Sequence, residues 1–374
     1  MKILIGTDRV LYGSGIGRVV EEMARCLYEK GYDVKIVCGK CNIKSKVPVI
    51  LCKYNETLYQ TNILDIIKTI KREEPDIFHS HYYPMDVCGA FINSSKTKHI
   101  MHSHGVNHQS WRLSWKNPLS LVRADIGEFL GLHFSEKIIC VSNYMKNALI
   151  RKHRIEKSKI EVVYNGVNLQ KFNLSIKGDE IRERYGINHD DIVLLCVSAL
   201  TPRKGQDLLI DCMRIVTKKI QNIKLLLVGS VGKTTIQYKQ ILRYMVRNAG
   251  LEKYVIFCGH IPDEELPKYY AASDIYVSAS TWESFGLPFV EAMACGRPAI
   301  GFDKTAISEL IIDGYNGYKV KYPDINELAI KIIHLANDVE KRKIFGLNGR
   351  KFVEKNFDVR RNIKKIIRIY SQLL

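Results

Sequence analysis

Two glutamates eight residues apart, Glu283 and Glu291, are the side chains of this sequence best placed to do chemistry. The run I-Y-V-S-A-S before them predicts a strand, and P-F-V-E-A-M-A predicts a helix that begins near Pro288. Proline suits the first helical position, where no backbone N–H is needed. We therefore expect Glu283 on a loop and Glu291 on the first helical turn.

This strand–loop–helix segment offers two kinds of ligand contact. A helix start attracts phosphate, here through the backbone N–H groups of Gly286 and Leu287. Carboxylates accept hydrogen bonds from paired hydroxyls. A ligand with phosphate at one point and diols on either side, such as a nucleotide sugar, has that shape. The alternative is that Glu283 and Glu291 are two solvated helix-cap glutamates.

The same segment carries a family resemblance. The run E-S-F-G-L-P-F-V-E-A-M-A-C-G-R-P at 283–298 resembles the Glu-x7-Glu motif of retaining glycosyltransferases of family 4, which have the GT-B fold. Further matching pieces are V-V-Y-N-G-V-N at 162–168 and G-H-I-P-D-E-E-L-P-K-Y-Y-A-A-S-D at 259–274. The resemblance implies that Glu283 holds hydroxyls of the donor sugar and that Glu291 holds the nucleotide ribose.

A basic loop follows the apolar run D-I-V-L-L-C-V-S, which ends at Ser198. Its residues 201–205, T-P-R-K-G, resemble the family loop that grips the pyrophosphate with an arginine and a lysine. Lys204 matches the family lysine. The usual family arginine is replaced by Ala199, so we expect Arg203 to take its place. Ser198 is a further expected substrate contact.

One segment departs from the family pattern. The stretch D-K-T-A-I-S-E at 303–309 aligns with a family stretch that usually has two glycines where Thr305 and Ala306 stand here. The resemblance therefore does not determine the conformation of this loop.

In the first half of the chain, glycines Gly13, Gly15 and Gly17 follow the first predicted strand and open a helix. Such glycines let the backbone approach a ligand closely. They resemble the family's first glycine-rich loop, which implies that Gly15 lies against the donor phosphate; a tight structural turn is the alternative. His104 resembles the family histidine that faces the donor sugar.

Metal binding is a separate hypothesis. Imidazoles are common metal ligands, and the H-x-H spacing places both rings on one face of a strand. No carboxylate stands at a fixed spacing, however, and no Asp-x-Asp triplet is present. We therefore expect no metal and no cofactor, with a metal cluster as the alternative use of His79, His81, His102, His104 and His108.

Two other segments leave alternatives open. Residues 229–234, G-S-V-G-K-T, resemble a phosphate-binding P-loop, but Leu227 stands where that motif needs a glycine. A P-loop NTPase would need magnesium and would fail on loss of Lys233. The second segment mixes aromatic and cationic residues, namely Trp111, Arg112, Trp115 and Lys116. Such a mixture suits a membrane interface or a sugar-stacking wall. The alternative is a helix that packs its tryptophans inward.

Composition limits the classes of protein. With 374 residues and 46% hydrophobic content, two globular domains are expected. No apolar run reaches 18 residues and none resembles a signal peptide, so we expect a cytoplasmic protein. Ten scattered cysteines fit reduced core residues, with a metal or redox role for Cys38 and Cys41 as the alternative.

The net charge of +18 favours polyanionic partners. No nucleic-acid-binding motif is present, so we expect no nucleic-acid partner, while peripheral contact with the anionic inner face of a membrane remains open beside a merely solvated basic surface. The cations gather in two runs, one of Lys146, Arg151, Lys152, Arg154, Lys157 and Lys159, and one of Arg360, Arg361, Lys364, Lys365 and Arg368.

Strands and helices alternate along the chain, and the pattern restarts after a polar stretch at 175–180. This predicts an α/β protein with two doubly wound parallel sheets, and, with the resemblance, a GT-B architecture in which two Rossmann-like domains face each other across a cleft. The expected divisions are an acceptor-side domain at 1–175, a nucleotide-sugar domain at 176–356, and a helix at 357–374 that crosses back to the first domain.

These observations predict a retaining, metal-independent glycosyltransferase that moves a sugar from a nucleotide-diphosphate sugar to a hydroxyl of a saccharide or lipid-linked acceptor. The catalytic set is Glu283, His104, Arg203 and Lys204, and the substrate-binding set is Gly15, Gly286, Leu287, Glu291 and Ser198. The near alternative is a GT-B sugar-phosphate synthase or phosphorylase. From other classes, a P-loop NTPase and a non-catalytic polyanion binder remain.

Overall fold

The structure is a computed structural model that describes residues 1–11, 13–56, 60–92, 96–105, 118–230, 232 and 235–374, with only the backbone of 118–121. The chain divides into two compact units: residues 1–166 with 359–374, and residues 167–358. The expected boundary after residue 175 lies nine residues beyond the division between these units. Among the described residues, no helix combines the length and the apolar character needed to cross a membrane.

The first unit contains a seven-stranded sheet in the order β11-β10-β9-β8-β1-β3-β5, with helices on its faces. Every pair of neighbours in this sheet is parallel. Its elements are β1 (Lys2–Thr7), β2 (Arg9–Val10), α1 (Gly15–Tyr28), β3 (Asp33–Cys38), β4 (Lys40–Cys41), β5 (Val49–Leu51), β6 (Tyr54–Asn55), β7 (Gln60–Thr61), α2 (Ile63–Glu73), β8 (Ile77–His81), α3 (Met85–Ala90), β9 (Lys98–Ser103), α4 (Pro118–Phe134), β10 (Lys137–Cys140), α5 (Asn143–His153) and β11 (Ile160–Val162).

The second unit contains a six-stranded parallel sheet in the order β14-β13-β12-β15-β16-β17. Its elements are α6 (Asp179–Arg184), β12 (Ile192–Val197), α7 (Gln206–Val216), β13 (Ile223–Val228), α8 (Ile236–Asn248), β14 (Val255–Gly259), α9 (Leu266–Ala272), β15 (Ile275–Ser278), α10 (Leu287–Ala294), β16 (Ala299–Phe302), α11 (Ile307–Leu310), β17 (Gly317–Val320), α12 (Ile325–Asn337) and α13 (Val339–Asn356). The strands are apolar runs because helices cover both faces of such a sheet.

The last helix, α14 (Val359–Ser371), returns to the first unit. Its buried face carries Ile363, Ile366 and Ile369, which join the core formed with α1 and the strands. The helix begins two residues later than expected. Phe357 still caps α13 through a hydrogen bond from its N–H to Val353 O, and Asp358 pairs with Val167 in a β-bridge.

In each sheet, successive strands along the chain first extend one edge and then the other, so the strand order reverses once. In the first sheet the reversal lies between β1 and β8, and in the second it lies between β12 and β15. At such a reversal the loops after the two neighbouring strands lead to opposite faces, which leaves a crevice at the carboxyl ends of the strands. Ligand-binding residues are therefore expected in the loops after these four strands.

Candidate functional site

In the second unit, the loops after β12 and β15 meet at the reversal point. The β12 loop passes through a short 3-10 helix, Pro202–Lys204, and reaches α7 through Gly205. Gly205 has a φ of +65°, and a Cβ there would lie 2.1 Å from Ala279 O in the other loop. The N–H of Thr281 also donates to Arg203 O at 2.9 Å. The absence of a side chain at Gly205 therefore lets the two loops touch.

This contact pairs Lys204 with Glu283. Lys204 Nζ lies 2.5 Å from Glu283 Oε1, and their side chains are 15% and 12% exposed. Burial favours the neutral acid, but the positive charges of Lys204 and Arg203 outweigh it, so the pKa of Glu283 lies below its usual range. The site thus holds an ionised carboxylate directly beside a cation.

Arg203 is fixed beside this pair by Trp282. Its Nη1 donates to Trp282 O at 2.7 Å, and its guanidinium lies over the indole ring, 5.3 Å from the centroid. A guanidinium has five N–H donors in a planar fork, so one such contact leaves others to receive an anion. Arg203 and Lys204 are therefore adjacent cations in one half-buried loop.

The loop after β15 leads into α10, whose cap is Gly286 with a φ of +102°. The helix begins at Leu287, one residue before Pro288, because glycine adopts this left-handed conformation easily and can cap the helix one residue earlier than expected. Glu291 therefore follows the first turn instead of lying on it. The first N–H groups of any helix lack partners within the helix, and here they lie in the loop that carries Glu283.

Glu291 is 1% exposed and accepts a hydrogen bond from the hydroxyl of Tyr270 at 2.7 Å. Tyr270 is itself fully buried, on α9. The bond orients the carboxylate of Glu291. Tyr270 lies within the matched run at 259–274, but that resemblance assigned it no role.

Ser198 follows β12 and receives a hydrogen bond at Oγ from Gln206 Nε2, at 2.8 Å. The neighbouring loop after β13 passes closely behind it, since a Cβ on Gly229 would lie 1.8 Å from Ser198 O. Gln206 is fully buried and was not found from the sequence, because a single glutamine at a helix start has no characteristic pattern. Val231, Lys233 and Thr234 of the P-loop-like run lie outside the described residues.

Thr305 is a third residue that the sequence did not assign to the site. Its Oγ1 accepts a hydrogen bond from the backbone N–H of Glu283 at 3.1 Å. Its φ is +59°, a left-handed conformation that is rare for a β-branched residue. The backbone here thus has the conformation that suits the usual family glycine, and the hydroxyl of Thr305 holds the Glu283 loop in addition.

In the first unit, Gly15 is the first residue of α1, and Ser14 caps the helix by accepting from Gly17 N–H at 3.2 Å. A Cβ on Gly17 would meet Leu11 N at 3.1 Å, whereas a Cβ on Gly15 would meet no atom of the described residues within 4 Å. Packing is therefore tight at Gly17, while the described residues leave space at Gly15. The residues Trp111, Arg112, Trp115 and Lys116, with His108, lie outside the described residues.

His104 follows β9 and lies at the edge of a group of buried imidazoles. His104 Nε2 is 2.8 Å from His81 Nδ1, and His102 stacks on His104 with ring centroids 4.5 Å apart. Burial lowers the pKa of His79 to about 3 and of His104 to about 4, so these rings are neutral at physiological pH. They can serve as hydrogen-bonding groups or as ligands, but not as cations.

This chain is similar to known proteins along its whole length. The family model described as Glycosyl transferases group 1 matches residues 177–352, and that of Glycosyltransferase Family 4 matches residues 13–171. An uncharacterized glycosyltransferase of Methanocaldococcus jannaschii is 30% identical over 100% of this chain and 99% of its own.

Two further relatives are informative. The UDP-Gal:alpha-D-GlcNAc-diphosphoundecaprenol alpha-1,3-galactosyltransferase of Escherichia coli is 22% identical over 96% of this chain and 94% of its own. HepE of Anabaena, solved in complex with UDP and glucose, shares the fold with a TM-score of 0.86, at 23% identity and full coverage of both chains.

Proposed function

This chain belongs to the glycosyl transferases group 1 family and has the GT-B architecture, and on that premise we propose that it is a retaining, metal-independent hexosyltransferase. It is an enzyme that transfers a sugar from a nucleotide sugar. The observation that carries the finer proposal is the ion pair between Lys204 and Glu283, at the sheet reversal and in the loop that opens α10.

Lys204 and Arg203 neutralise the diphosphate that leaves the donor sugar. Charge builds on the leaving oxygen as the glycosidic bond breaks, and fixed cations in a partly buried site stabilise it without reorganising. Lys204 acts as a point charge and Arg203 as a planar fork. The N–H groups of Gly286 and Leu287 add donors at the helix start.

Glu283 and Glu291 hold two different parts of the donor. Glu283 accepts hydrogen bonds from the sugar hydroxyls, and its position follows from Lys204 on one side and Thr305 on the other. Glu291 accepts from the ribose hydroxyls while Tyr270 orients its carboxylate. From the same resemblance we assign Ser198, Gly15 and His104 to donor contacts, His104 to the sugar and Gly15 to its phosphate.

The reaction proceeds on the face of the sugar that the diphosphate leaves. The departing diphosphate takes the proton of the acceptor hydroxyl, so no protein nucleophile is needed and the anomeric configuration is retained.

Because two adjacent cations face the diphosphate, no magnesium or manganese ion is needed there. After dialysis against EDTA, addition of magnesium or manganese is expected to leave the transfer rate unchanged. Restoration of a lost rate by either ion would contradict the metal-free mechanism.

The acceptor is proposed to be lipid-linked. The Escherichia coli relative is named for a lipid-linked diphosphate acceptor. In this chain, α4 exposes an apolar stripe at Val122, Ile126 and Phe129, residues that fall on one helical face. The following helix α5 carries the exposed cation Arg151 in its last turn. Apolar and cationic groups together suit the surface of an anionic membrane.

The proposed function is tested by incubating the purified protein with UDP-, GDP-, ADP- and dTDP-sugars. HepE was solved with UDP and glucose, so UDP-glucose is the first donor to try. Binding of a donor at a hundredfold excess over its dissociation constant should stabilise the protein by about 2.7 kcal/mol in a thermal-shift assay.

The stereochemistry is read from the product by proton NMR of the anomeric hydrogen. An α-linked donor is expected to give an α-linked product. A β-linked product would show inversion and overturn the retaining mechanism. Transfer to inorganic phosphate or to a sugar phosphate, but to no other hydroxyl, would identify a phosphorylase or a sugar-phosphate synthase instead.

A further inference from the structure

Four histidines form a compact group on one face of the first sheet. Strands β8 and β9 run parallel with His81 opposite His102. Since side chains alternate along a strand, His79 lies on the same face as His81, and His104 continues the face of His102. The four imidazole rings therefore stand in two rows of two, with neighbouring centroids 4.5–5.2 Å apart.

Two of these rings are already oriented through Nδ1. His79 Nδ1 is 2.6 Å from the hydroxyl of Tyr370 on α14, and His81 Nδ1 is 2.8 Å from His104 Nε2. In both rings the Nε2 atom has no hydrogen-bond partner within the described part of the chain, and neither nitrogen of His102 has one. Metal-binding histidines characteristically use one nitrogen for the metal and the other for an orienting hydrogen bond.

The unpartnered nitrogens are buried, not solvated. His79 and His81 are fully buried, and His102 is 3% exposed. A buried polar atom without a partner destabilises the folded protein, so several of them at one place require an explanation. The nitrogens of His79, His81 and His102 lie within 4.8 Å of one another. In tetrahedral zinc coordination, ligand nitrogens are roughly 3.3 Å apart, because each Zn–N bond is about 2.0–2.1 Å. Binding of a metal ion therefore requires the three rings to turn toward a common point.

We propose that His79, His81 and His102 form a binding site for one divalent transition-metal ion, with zinc as the first candidate. Imidazole suits zinc, copper and nickel, whereas magnesium and manganese prefer oxygen ligands. The site is therefore chemically distinct from any cation at the donor diphosphate. It lies wholly in the first unit, and its proposal does not depend on the proposed function.

Metal at His81 Nε2 would also determine the tautomer of His104. A metal-bound Nε2 requires the proton of His81 to be on Nδ1, which then donates to His104 Nε2. His104 in turn carries its own proton on Nδ1. The metal thereby fixes the ring of His104, and this consequence alone rests on the proposed role of His104 at the donor sugar.

The test uses full-length protein without a histidine tag, dialysed against EDTA and titrated with Co²⁺, whose complexes with imidazole absorb visible light. Wild type is expected to bind one Co²⁺ per chain, with an imidazole-type spectrum and a higher Tm. Zn²⁺ should displace the Co²⁺ and remove the absorption. His79→Gln and His102→Gln, each of which removes one proposed ligand, should weaken Co²⁺ binding at least tenfold.

The matched control is His99→Gln. His99 is also buried on β9, but it faces the other side of the sheet, where Ser80 Oγ lies 2.9 Å from its Nε2. Co²⁺ binding by this variant should equal that of wild type. If it does not fold, His334→Gln in the second unit provides a second control.

Tyr370→Phe tests the orienting hydrogen bond. Loss of such a partner lowers metal affinity by about 10- to 100-fold without abolishing binding. The variant should therefore retain the imidazole-type spectrum at higher Co²⁺ concentration. Absence of that spectrum in folded wild type, or equal Co²⁺ affinity in wild type, His79→Gln and His102→Gln, would overturn the proposal. Neither result affects the magnesium and manganese assay, so the two proposals fail independently.

Discussion

Two hydrogen bonds hold Glu283 in place. Its carboxylate accepts one from Lys204, and its backbone N–H donates the other to Thr305. Glu291 is held by Tyr270 from a different helix. Because their supports are separate, a change at one glutamate should leave the other in place, and the two proposed roles can be measured apart. Additivity is expected for residues that share no partner.

We predict different kinetic effects for the two glutamates. Glu283→Gln keeps the shape but removes the charge that pairs with Lys204, so kcat should fall by about 100-fold as the sugar loses its orientation. Glu291→Ala should weaken binding of the nucleoside diphosphate by about 10- to 100-fold, since a hydrogen bond to a charged group contributes about 1.5–3 kcal/mol. Steady-state kinetics and calorimetry measure the two effects. The exposed Glu264→Gln is the control, and unchanged turnover in both folded variants would refute the assignment.

A second prediction concerns Thr305. Thr305→Val keeps the branched shape and loses the hydroxyl, which leaves the Glu283 N–H without this partner and should cost about 1–3 kcal/mol of stability. Thr305→Ser retains the hydroxyl and should behave as wild type. Chemical denaturation and turnover are the measurements. A loss in Thr305→Ser with none in Thr305→Val would show that packing of the methyl group matters, not the hydrogen bond.

Among the elements of the fold, the loops that precede α1 and α7 show why glycines at helix starts are not equivalent. Gly205 lets one loop touch another, and a side chain there would meet backbone oxygen. Gly15 has no such neighbour within the described chain. Gly205 therefore serves packing, while the backbone at Gly15 is available for a ligand that approaches the start of α1.

Alanine substitutions should separate these two uses of glycine. Gly205→Ala combines a positive φ with a contact of 2.1 Å, and we expect a loss of about 2 kcal/mol or more, which lowers Tm by roughly 4–8 °C. Gly15→Ala should leave Tm unchanged and lower kcat/KM for the donor. Thermal denaturation and donor kinetics test both variants. If Gly15→Ala has wild-type donor kinetics, its backbone does not approach the phosphate.

For the whole molecule, some of the cations that give the net charge of +18 form ion pairs within the protein. Of the basic run at 146–159, Lys152 pairs with Asp125 and Glu128 of α4, while Arg151, Arg154 and Lys157 are exposed. The cations of the last run lie on the exposed face of α14, opposite the isoleucines of its buried face: Arg360, Arg361, Lys364, Lys365 and Arg368. Among these cations, Arg151, Lys364, Lys365 and Arg368 are exposed side chains that an anionic partner could contact.

We predict salt-sensitive binding to anionic membranes. Each basic residue near such a surface contributes about 1 kcal/mol, and salt screens the attraction. Cosedimentation with anionic vesicles should decrease as salt rises, and neutral vesicles should bind little protein. Phe129→Ser in the apolar stripe of α4 should weaken binding, whereas Tyr244→Ser, an exposed aromatic of the second unit, should not. Equal binding to both vesicle types, or none at low salt, would leave a soluble acceptor as the better proposal.

Much of this protein is determined by local sequence. Apolar runs between helical segments identified two parallel sheets, because strands covered on both faces must be apolar throughout. The run at 283–298 identified the family, since it joins a strand, a glycine-capped helix and two carboxylates in one short segment. The spacing His79-x-His81 likewise placed two rings on one face of a strand.

Only the tertiary structure decided which residues support these groups. Tyr270, Gln206 and Thr305 reach the site from separate elements, and their contacts depend on strand order and on loops that fold back onto the sheet. The sequence alone offers the histidines as an alternative metal cluster but does not show which of them meet, because His79 and His102 are 23 residues apart and are brought together by the register of β8 and β9. Spacing along a chain determines which face a side chain occupies, whereas pairing of distant strands determines its neighbours.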